Sequence, residues 1–296
     1  MIRIFSAQNL FDYVSSIIHQ NYWNLSLTLA RVSLALCTLL TLLFNSDGVL
    51  LLEVNESLNS KHIEYYSLFQ IFGNIELSRY LAYFILIFVI LGVYPFIFCV
   101  LHWWVAISFF ISSPMIEGGD QIVSIFTLLL IPIFIFDKRK NSWRPSINAR
   151  NNFYINTIVF LIFVCIRLQV FVIYFFSSVG KFAVTEWING TAIYYWFNDP
   201  VFGLNKNLYA IFEPVLQNMY TVTFITWFVL LAELLIALAI FYPSKKFKIY
   251  MFWLGVFLHF SIAISFGLWS FMFAMIGVLL LALTDFNFKQ HPKIVK

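Results

Sequence analysis

Long apolar stretches separated by shorter polar segments run from residue 25 to residue 283. A helix needs about 20 consecutive apolar residues to cross a bilayer, so this pattern predicts a bundle of about eight spans. The predicted spans cover residues 25–44, 80–101, 102–113, 121–136, 153–176, 221–242, 249–266 and 268–283. The 102–113 segment is short and rich in aromatic residues, so the pattern allows either a short span or a re-entrant helix there.

The first 24 residues show a different pattern. Their apolar side chains recur at helical spacing with polar residues between and beyond them, which is typical of an amphipathic helix lying on the bilayer surface. The apolar positions are Leu10, Phe11, Val14, Ile17 and Ile18. We therefore divide the chain into an interfacial helix over 1–24, a transmembrane domain over 25–285 and a short basic tail over 286–296.

Composition supports an all-α membrane protein. Of the 296 residues, 61% are hydrophobic and 11% are charged, and the mean hydropathy is +0.87. Soluble domains are about 25% charged, so a soluble globular protein is excluded. A disordered chain is excluded as well, because disordered chains are poor in the apolar and aromatic residues that are abundant here.

The distribution of positive charge predicts the orientation of the bundle. Cytoplasmic loops of membrane proteins carry an excess of lysine and arginine. If the N-terminus, the 137–152 loop, the 243–248 turn and the tail are cytoplasmic, they hold 12 of the 18 lysine and arginine residues. Both termini are therefore predicted to be cytoplasmic. The net charge of +4 is a topology signal on this interpretation, and no nucleic-acid partner is expected.

The three cysteines predict neither a disulfide framework nor a metal site. Cys37, Cys99 and Cys165 all lie within apolar runs and have no CxxC spacing. We expect them to be buried, inert thiols.

Ionisable residues within spans are costly and usually face the bundle interior, and four such residues stand out. Arg31 is close enough to its span end to extend to the cytoplasmic surface, or it faces the interior. Arg167 and Glu233 are near mid-span, and pairing Glu233 with Arg167 or Arg31 would lower the cost of both charges, for a structural or a functional purpose. His259 is either a buried hydrogen-bonding imidazole or a group for proton transfer or ligand binding.

One helical stripe on the fifth predicted span ends in a lysine. Its members follow one another at intervals of three or four residues, so they share a face if the helix continues. They are Arg167, Phe171, Tyr174, Ser178 and Lys181. Gly180 is a possible helix end that would redirect Lys181. The spacing alone fits a lysine at the membrane interface, beside an aromatic belt of Trp187 and Tyr194.

Several stretches, in this order, resemble the HTTM family, the membrane domain shared by vitamin K-dependent γ-glutamyl carboxylase and its bacterial relatives. They are residues 117–120 (EGGD), 167–169 (RLQ), 174–181 (YFFSSVGK), 187–195 (WINGTAIYY), Glu233 and 259–268. Residues 190–195 with 198–203 (NDPVFG) are most similar to the SdpB type. Proteins of that type are bacterial membrane proteins encoded with antimicrobial-peptide systems of the sporulation-delaying kind and needed for toxin production.

The resemblance implies roles for individual residues. A lysine matching Lys181 is the carboxylase base that deprotonates vitamin K hydroquinone, and partial desolvation would favour the neutral amine that such a base needs. The implied cofactor is a reduced quinone of the menaquinol or vitamin K hydroquinone type, without a metal. His259 receives a supporting catalytic role. The residues expected to line the cavity or cover its mouth are Arg31, Asp120, Arg167, Tyr174, Trp187, Tyr194 and Glu233.

The sequence also departs from the carboxylase, because only a short basic tail follows Asp285 where that enzyme carries a large extracytoplasmic domain. Either the substrate is small, or a separate partner subunit presents it. A protein of the SdpB type is expected to work in the bacterial cytoplasmic membrane with a small companion protein on a secreted peptide precursor. The expected function is production or maturation of an antimicrobial peptide, with enzymatic lysine-base chemistry favoured. The alternatives are a non-catalytic peptide transporter, an immunity or scaffold protein, and a quinone-modifying enzyme.

Overall fold

The computed structural model describes residues 21–50, 66–113, 117–145 and 152–287. These segments are helical, and their only bridge of the β type is an isolated pair between Val93 and Asn141. The helices are α1 Leu25–Phe44, α2 Asp47–Leu50, α3 Leu68–Ile71, α4 Ile75–Ile90, α5 Pro95–Ser112, α6 Gly118–Phe134, α7 Phe153–Gly180, α8 Thr185–Ile188, α9 Ala192–Phe197, α10 Lys206–Leu216, α11 Met219–Ala239, α12 Lys245–Phe266 and α13 Trp269–Leu283. A 3₁₀ turn, Lys181–Ala183, follows α7.

Within these described ranges, five helices are long and apolar enough to cross a membrane: α1, α5, α7, α11 and α12. The shorter helices α6 and α13 are also apolar. The chain is therefore a helical membrane protein. The count of eight spans and the cytoplasmic placement of both termini stay predictions. The predicted interfacial helix over 1–24 lies mostly outside the described residues, as does the tail beyond residue 287.

The predicted boundary between the second and third spans is wrong. The break falls at residues 91–94 and not at 101–102, so the 102–113 segment is the second half of the full-length helix α5. Gly92 turns the chain there with φ of +74°, a conformation that glycine adopts without strain. Pro95 then begins α5 at its first turn, where a missing backbone N–H is tolerated.

Helices α1 and α13 form the most extensive helix pair of the bundle. They are antiparallel, because Ser26 Oγ lies 2.6 Å from Thr284 Oγ1 at one end and Ser33 Oγ donates to the Phe273 carbonyl further along. Gly277 lies at their crossing, where an added Cβ would be 3.0 Å from Leu34 and 3.1 Å from the Ala30 carbonyl oxygen. A glycine thus allows the two backbones to approach closely, as small residues do in membrane bundles.

The connections that carry most of the described basic residues meet at one end of the bundle, which we call the basic end. Tyr94 N donates to the Lys140 carbonyl at 2.9 Å, and Thr28 Oγ1 donates to the Ser142 carbonyl at 2.9 Å. Lys245 pairs with Asp285 at 2.5 Å. The loop after α6, the turn before α12 and the end of α13 are therefore on one side, in agreement with the predicted grouping of positive charge.

At the opposite end, residues 184–218 form a segment of three short helices that we call the lid segment. Its helices α9 and α10 pack against the start of α11. Apolar residues of α9, α10 and α11 form a small core there, including Ile193, Phe197, Leu216 and Val222. The lid segment thus covers the bundle where α7 ends.

The expectation for the cysteines is met at two of three positions. Cys37 and Cys99 are buried thiols, but Cys165 is exposed on the surface of α7. In a membrane-spanning helix such a position faces lipid or a neighbouring protein, so hydropathy alone did not distinguish it from a core position.

Candidate functional site

The side chain of Lys181 is directed by the end of α7. The α-helix ends at Gly180, and Lys181 begins the 3₁₀ turn. Its Nζ donates to both carboxylate oxygens of Glu233, at 2.7 and 2.6 Å. The same nitrogen donates to the carbonyl oxygen and to Oγ of Ser177, at 3.0 and 2.9 Å. The three protons of the ammonium therefore have acceptors within the protein.

Glu233 pairs with Lys181, so the predicted pairing with Arg167 or Arg31 is wrong. Ser178 Oγ donates to the Leu230 carbonyl at 2.9 Å, which places Glu233 at the depth of residues 177–181. Arg167 is ten residues before Ser177, about 15 Å lower along α7. The relative depth of two packed helices decides which charges meet, and the sequence does not give it.

Ser177 is the member of the site that the sequence pattern missed. It lies four residues before Lys181, one helical turn away, and its Oγ is within hydrogen-bond distance of both Lys181 Nζ and Glu233 Oε1, at 2.9 Å each. Its four-residue spacing to Lys181 was visible in the sequence, but the helical stripe that we followed on this span includes Ser178 and not Ser177.

A second buried pair lies deeper in the bundle. The Tyr174 hydroxyl and His259 Nε2 are 2.6 Å apart, and Tyr174 is 1% exposed. Nδ1 of His259 has no hydrogen-bond partner among the described residues. Tyr174 lies three residues, about one helical turn, before Ser177 on α7. We call Tyr174, Ser177, Lys181, Glu233 and His259 the polar cluster.

Trp187, in α8 of the lid segment, packs against the polar cluster. Its ring centroid is 5.2 Å from Lys181 Nζ, a cation–π contact. The indole also lines a cleft of about 240 Å³ on the side of the lid segment. The role of Trp187 as a cover over the mouth of the site stays a prediction. Tyr194 does not line the cleft. It is 44% exposed and stacks edge-on against Tyr195.

The remaining predicted cavity residues lie elsewhere. Arg31 is 1% exposed and lies over the ring of Phe134, 5.0 Å from its centroid, so it does not extend to the cytoplasmic surface. Asp120 is buried between α1 and α6, where it accepts a hydrogen bond from Thr41 Oγ1 at 3.4 Å. The structure therefore brings together Tyr174, Lys181, Trp187, Glu233 and His259, while Arg31, Asp120 and Arg167 are separate from them.

Lys181 and Glu233 form an ion pair that is largely shielded from solvent, since their side chains are only 21% and 9% exposed. A buried ion pair gives up hydration for the attraction between its charges and is often no more stable than an apolar pair of the same volume. Stability alone therefore does not explain the presence of the Lys181–Glu233 ion pair.

The Tyr174 hydroxyl stabilises the interior through His259, and its removal tests that contact. We expect Tyr174→Phe to lower the free energy of unfolding by about 1–2 kcal/mol, because the buried Nε2 of His259 loses its partner. Denaturation of the purified protein in detergent measures this loss. Tyr194→Phe, which alters an exposed tyrosine, is the control. An unchanged stability of Tyr174→Phe would contradict the contact.

The fold and the buried ion pair define a helical membrane protein with a polar site at the end opposite its basic loops. The chain belongs to the SdpB family. It is 34% identical over 267 residues to the sporulation-delaying protein SdpB of Bacillus subtilis (strain 168). The aligned region covers 89% of this chain and 82% of that relative. It is also 34% identical over 287 residues to the uncharacterized protein YitO of the same organism, covering 95% of this chain and 92% of YitO.

Two other comparisons give no match. No family model matches the chain, so membership of the HTTM family stays a prediction. No solved structure matches it either. Neither relative's name mentions carboxylation or a quinone, and carboxylase-like chemistry has no support from the comparisons.

Proposed function

We propose that this chain is an integral protein of the bacterial cytoplasmic membrane that takes part in the production or maturation of a secreted antimicrobial peptide. Its relationship to the sporulation-delaying protein SdpB supports this context. The observation that carries the proposal is the largely buried Lys181–Glu233 pair beside an open cleft. A small companion protein and a peptide precursor are the partners that we propose.

The polar cluster is the site at which we propose that the protein acts. Ionisable residues at membrane depth are rare and usually serve a function. Here two of them meet Ser177, and the Tyr174–His259 pair begins one helical turn deeper on α7. The cleft that Trp187 also lines gives a peptide a place to approach the cluster.

A base role for Lys181 requires one proton transfer within the chain. The proton on Nζ would pass to the Glu233 carboxylate 2.6 Å away, leaving a neutral amine and a neutral carboxylic acid with no change in net charge. Only then does the nitrogen carry a free lone pair. This transfer is the form of lysine-base chemistry that the cluster permits.

The observed contacts of Lys181 do not fit a base acting on a reduced quinone. Its three protons are all donated to Ser177 and Glu233, its Nζ contacts the Trp187 ring, and Lys181 is not among the described residues that line the cleft. We therefore derive no step through a quinone. The quinone cofactor and the HTTM relationship that implies it stay predictions.

The same contacts favour a second candidate, a non-catalytic protein that carries, binds or gives protection from the peptide. In this candidate the Lys181–Glu233 pair holds α7 to α11 and fixes the position of Trp187. Such a protein changes the amount of secreted peptide or the survival of the producing cell, but not the covalent structure of the peptide.

The test compares two substitutions of Lys181 in cells that express the chain with its peptide precursor. Arginine keeps the positive charge but does not lose its proton in proteins, whereas alanine removes both. The amount and mass of the secreted peptide are measured, with Lys206→Arg as the control. Loss of product with both variants, at normal protein levels, supports a base. Full product with Lys181→Arg alone supports the non-catalytic candidate.

Two results would contradict the proposal. Full product from both Lys181 variants at normal protein levels would remove Lys181 from the function. An unchanged amount and mass of the peptide in cells without this chain would overturn the proposed function as a whole.

A further inference from the structure

The cleft beside Trp187 has a lining that the polar cluster does not explain. It has a volume of about 240 Å³. The residues that line it are Val184, Glu186, Trp187, Ala192, Tyr195 and Trp196. Pockets that hold drug-sized ligands are about 300–1,000 Å³, so this cleft suits a smaller group such as one side chain.

The lining combines three aromatic rings with one carboxylate. Tyr195 and Trp196 are 59% and 48% exposed, so their rings are accessible to a ligand. The faces of tryptophan and tyrosine attract cations within about 6 Å of the ring centroid. Glu186 adds a formal negative charge, and none of the described residues that line the cleft is a lysine, arginine or histidine. This combination favours a cationic ligand over an anionic or purely apolar one.

The charge of the whole lid segment points the same way. Residues 184–218 hold three carboxylates, Glu186, Asp199 and Glu213, and one lysine, Lys206, for a net charge of −2 in a chain of net charge +4. The backbone amides of Phe202 and Val201 donate to Asp199, both at 2.8 Å, and lower the pKa of that carboxyl. Asp199 therefore stays ionised and adds to the negative field of the segment.

Lys181 does not cancel this preference, although it contacts the same indole. Its ammonium is bound to the Glu233 carboxylate at 2.6 Å, so the two charges together present little net charge to the cleft. A cation on the cleft side of Trp187 therefore meets the aromatic rings and Glu186 with little opposing charge.

We infer that this cleft binds the lysine or arginine side chain of a basic peptide segment. The ammonium or guanidinium group lies against Trp187, Tyr195 and Trp196 and pairs with Glu186. The inference rests on the proposed function for the source of the peptide, which would be the precursor or the secreted product. The binding itself depends only on the described residues.

The test uses the full-length chain, purified in an uncharged detergent, and three capped tripeptides. They are acetyl-Ala-Xaa-Ala-amide with lysine, norleucine or glutamate at the central position. Saturation-transfer NMR and titration measure binding. We expect the lysine peptide to bind at least about fivefold more tightly than the norleucine peptide, which has the same stem without the charge. This preference should weaken with added salt.

Two variants assign the site. We expect Glu186→Gln and Trp196→Leu each to weaken binding of the lysine peptide by about two- to fivefold, the range of exposed ion-pair and cation–π contacts. Glu213→Gln removes an exposed carboxylate from α10, outside the cleft lining, and is expected to leave the affinity unchanged. The norleucine peptide should respond to Trp196→Leu but not to Glu186→Gln.

The inference is overturned if norleucine and lysine peptides bind equally, since the cleft would then be an apolar groove. It is also overturned if Glu186→Gln and Glu213→Gln weaken binding to the same extent, because diffuse negative charge would suffice. These measurements involve no peptide production. A failure of the proposed function, seen as unchanged peptide in cells without this chain, is therefore distinguishable from a failure of this site.

Discussion

Replacing Lys181 by methionine will lower the free energy of unfolding by about 3 kcal/mol, because it leaves the Glu233 carboxylate, 9% exposed, without its counter-charge. The cation–π contact with Trp187 is lost at the same time. Chemical denaturation of the purified protein in detergent measures the change. Lys206→Met, which removes a lysine at the start of α10, should change stability by less than about 0.5 kcal/mol.

A double variant separates structure from function at this site. Lys181→Met combined with Glu233→Leu leaves no buried charge, so its stability should return to within about 1 kcal/mol of the unmodified protein. If the pair serves peptide production, this stable variant remains unable to support it. A stable double variant with full production would show that the pair has no functional role. A double variant as unstable as Lys181→Met would contradict the electrostatic explanation.

Replacing Gly277 by valine will destabilise the bundle by about 1–3 kcal/mol, the range found when extra methyl groups enter a packed interior. A Cβ at this position lies 3.0 Å from Leu34 and 3.1 Å from the Ala30 carbonyl oxygen. The Leu34 side chain can adjust, but the backbone carbonyl of α1 can move only if the two helices separate. Thermal unfolding in detergent is the measurement, with Gly277→Ala expected to be intermediate.

Gly48 supplies the matched comparison for this substitution. An added Cβ there has no atom of the described part of the chain within 4 Å. The same glycine-to-valine change at Gly48 should therefore leave the unfolding temperature within about 2 °C, since surface changes are usually within 0.5 kcal/mol. Equal effects at Gly48 and Gly277 would show that steric contact between α1 and α13 does not determine the result.

Much of the helical framework was predictable from hydropathy alone. The predicted spans 25–44, 153–176 and 268–283 begin within one residue of α1, α7 and α13. The pattern failed between residues 80 and 113, where apolar residues continue through a turn. Hydropathy measures how favourably side chains transfer to lipid and gives little information about backbone conformation. Gly92 and Pro95 mark the break, and they were the only local signal for it.

The candidate site was predictable along one helix but not between helices. Helical spacing placed Tyr174 and Lys181 on one face of α7, and both belong to the polar cluster. The partner of Glu233 was predicted incorrectly, since pairing across helices depends on their relative depth. That depth follows from packing and from contacts such as Ser178 to Leu230, which no periodicity within one segment reveals.

The pairing of α1 with α13 has a consequence for biosynthesis. The ribosome makes α1 first among these helices and α13 last, about 10–50 s apart at 5–20 residues per second. During that interval the Ala30 and Leu34 face of α1 lacks the neighbour that later covers it. We expect the nascent chain to stay vulnerable to membrane proteases and dependent on insertion factors until α13 arrives, so that nonsense mutations even within α13 would abolish accumulation of the protein.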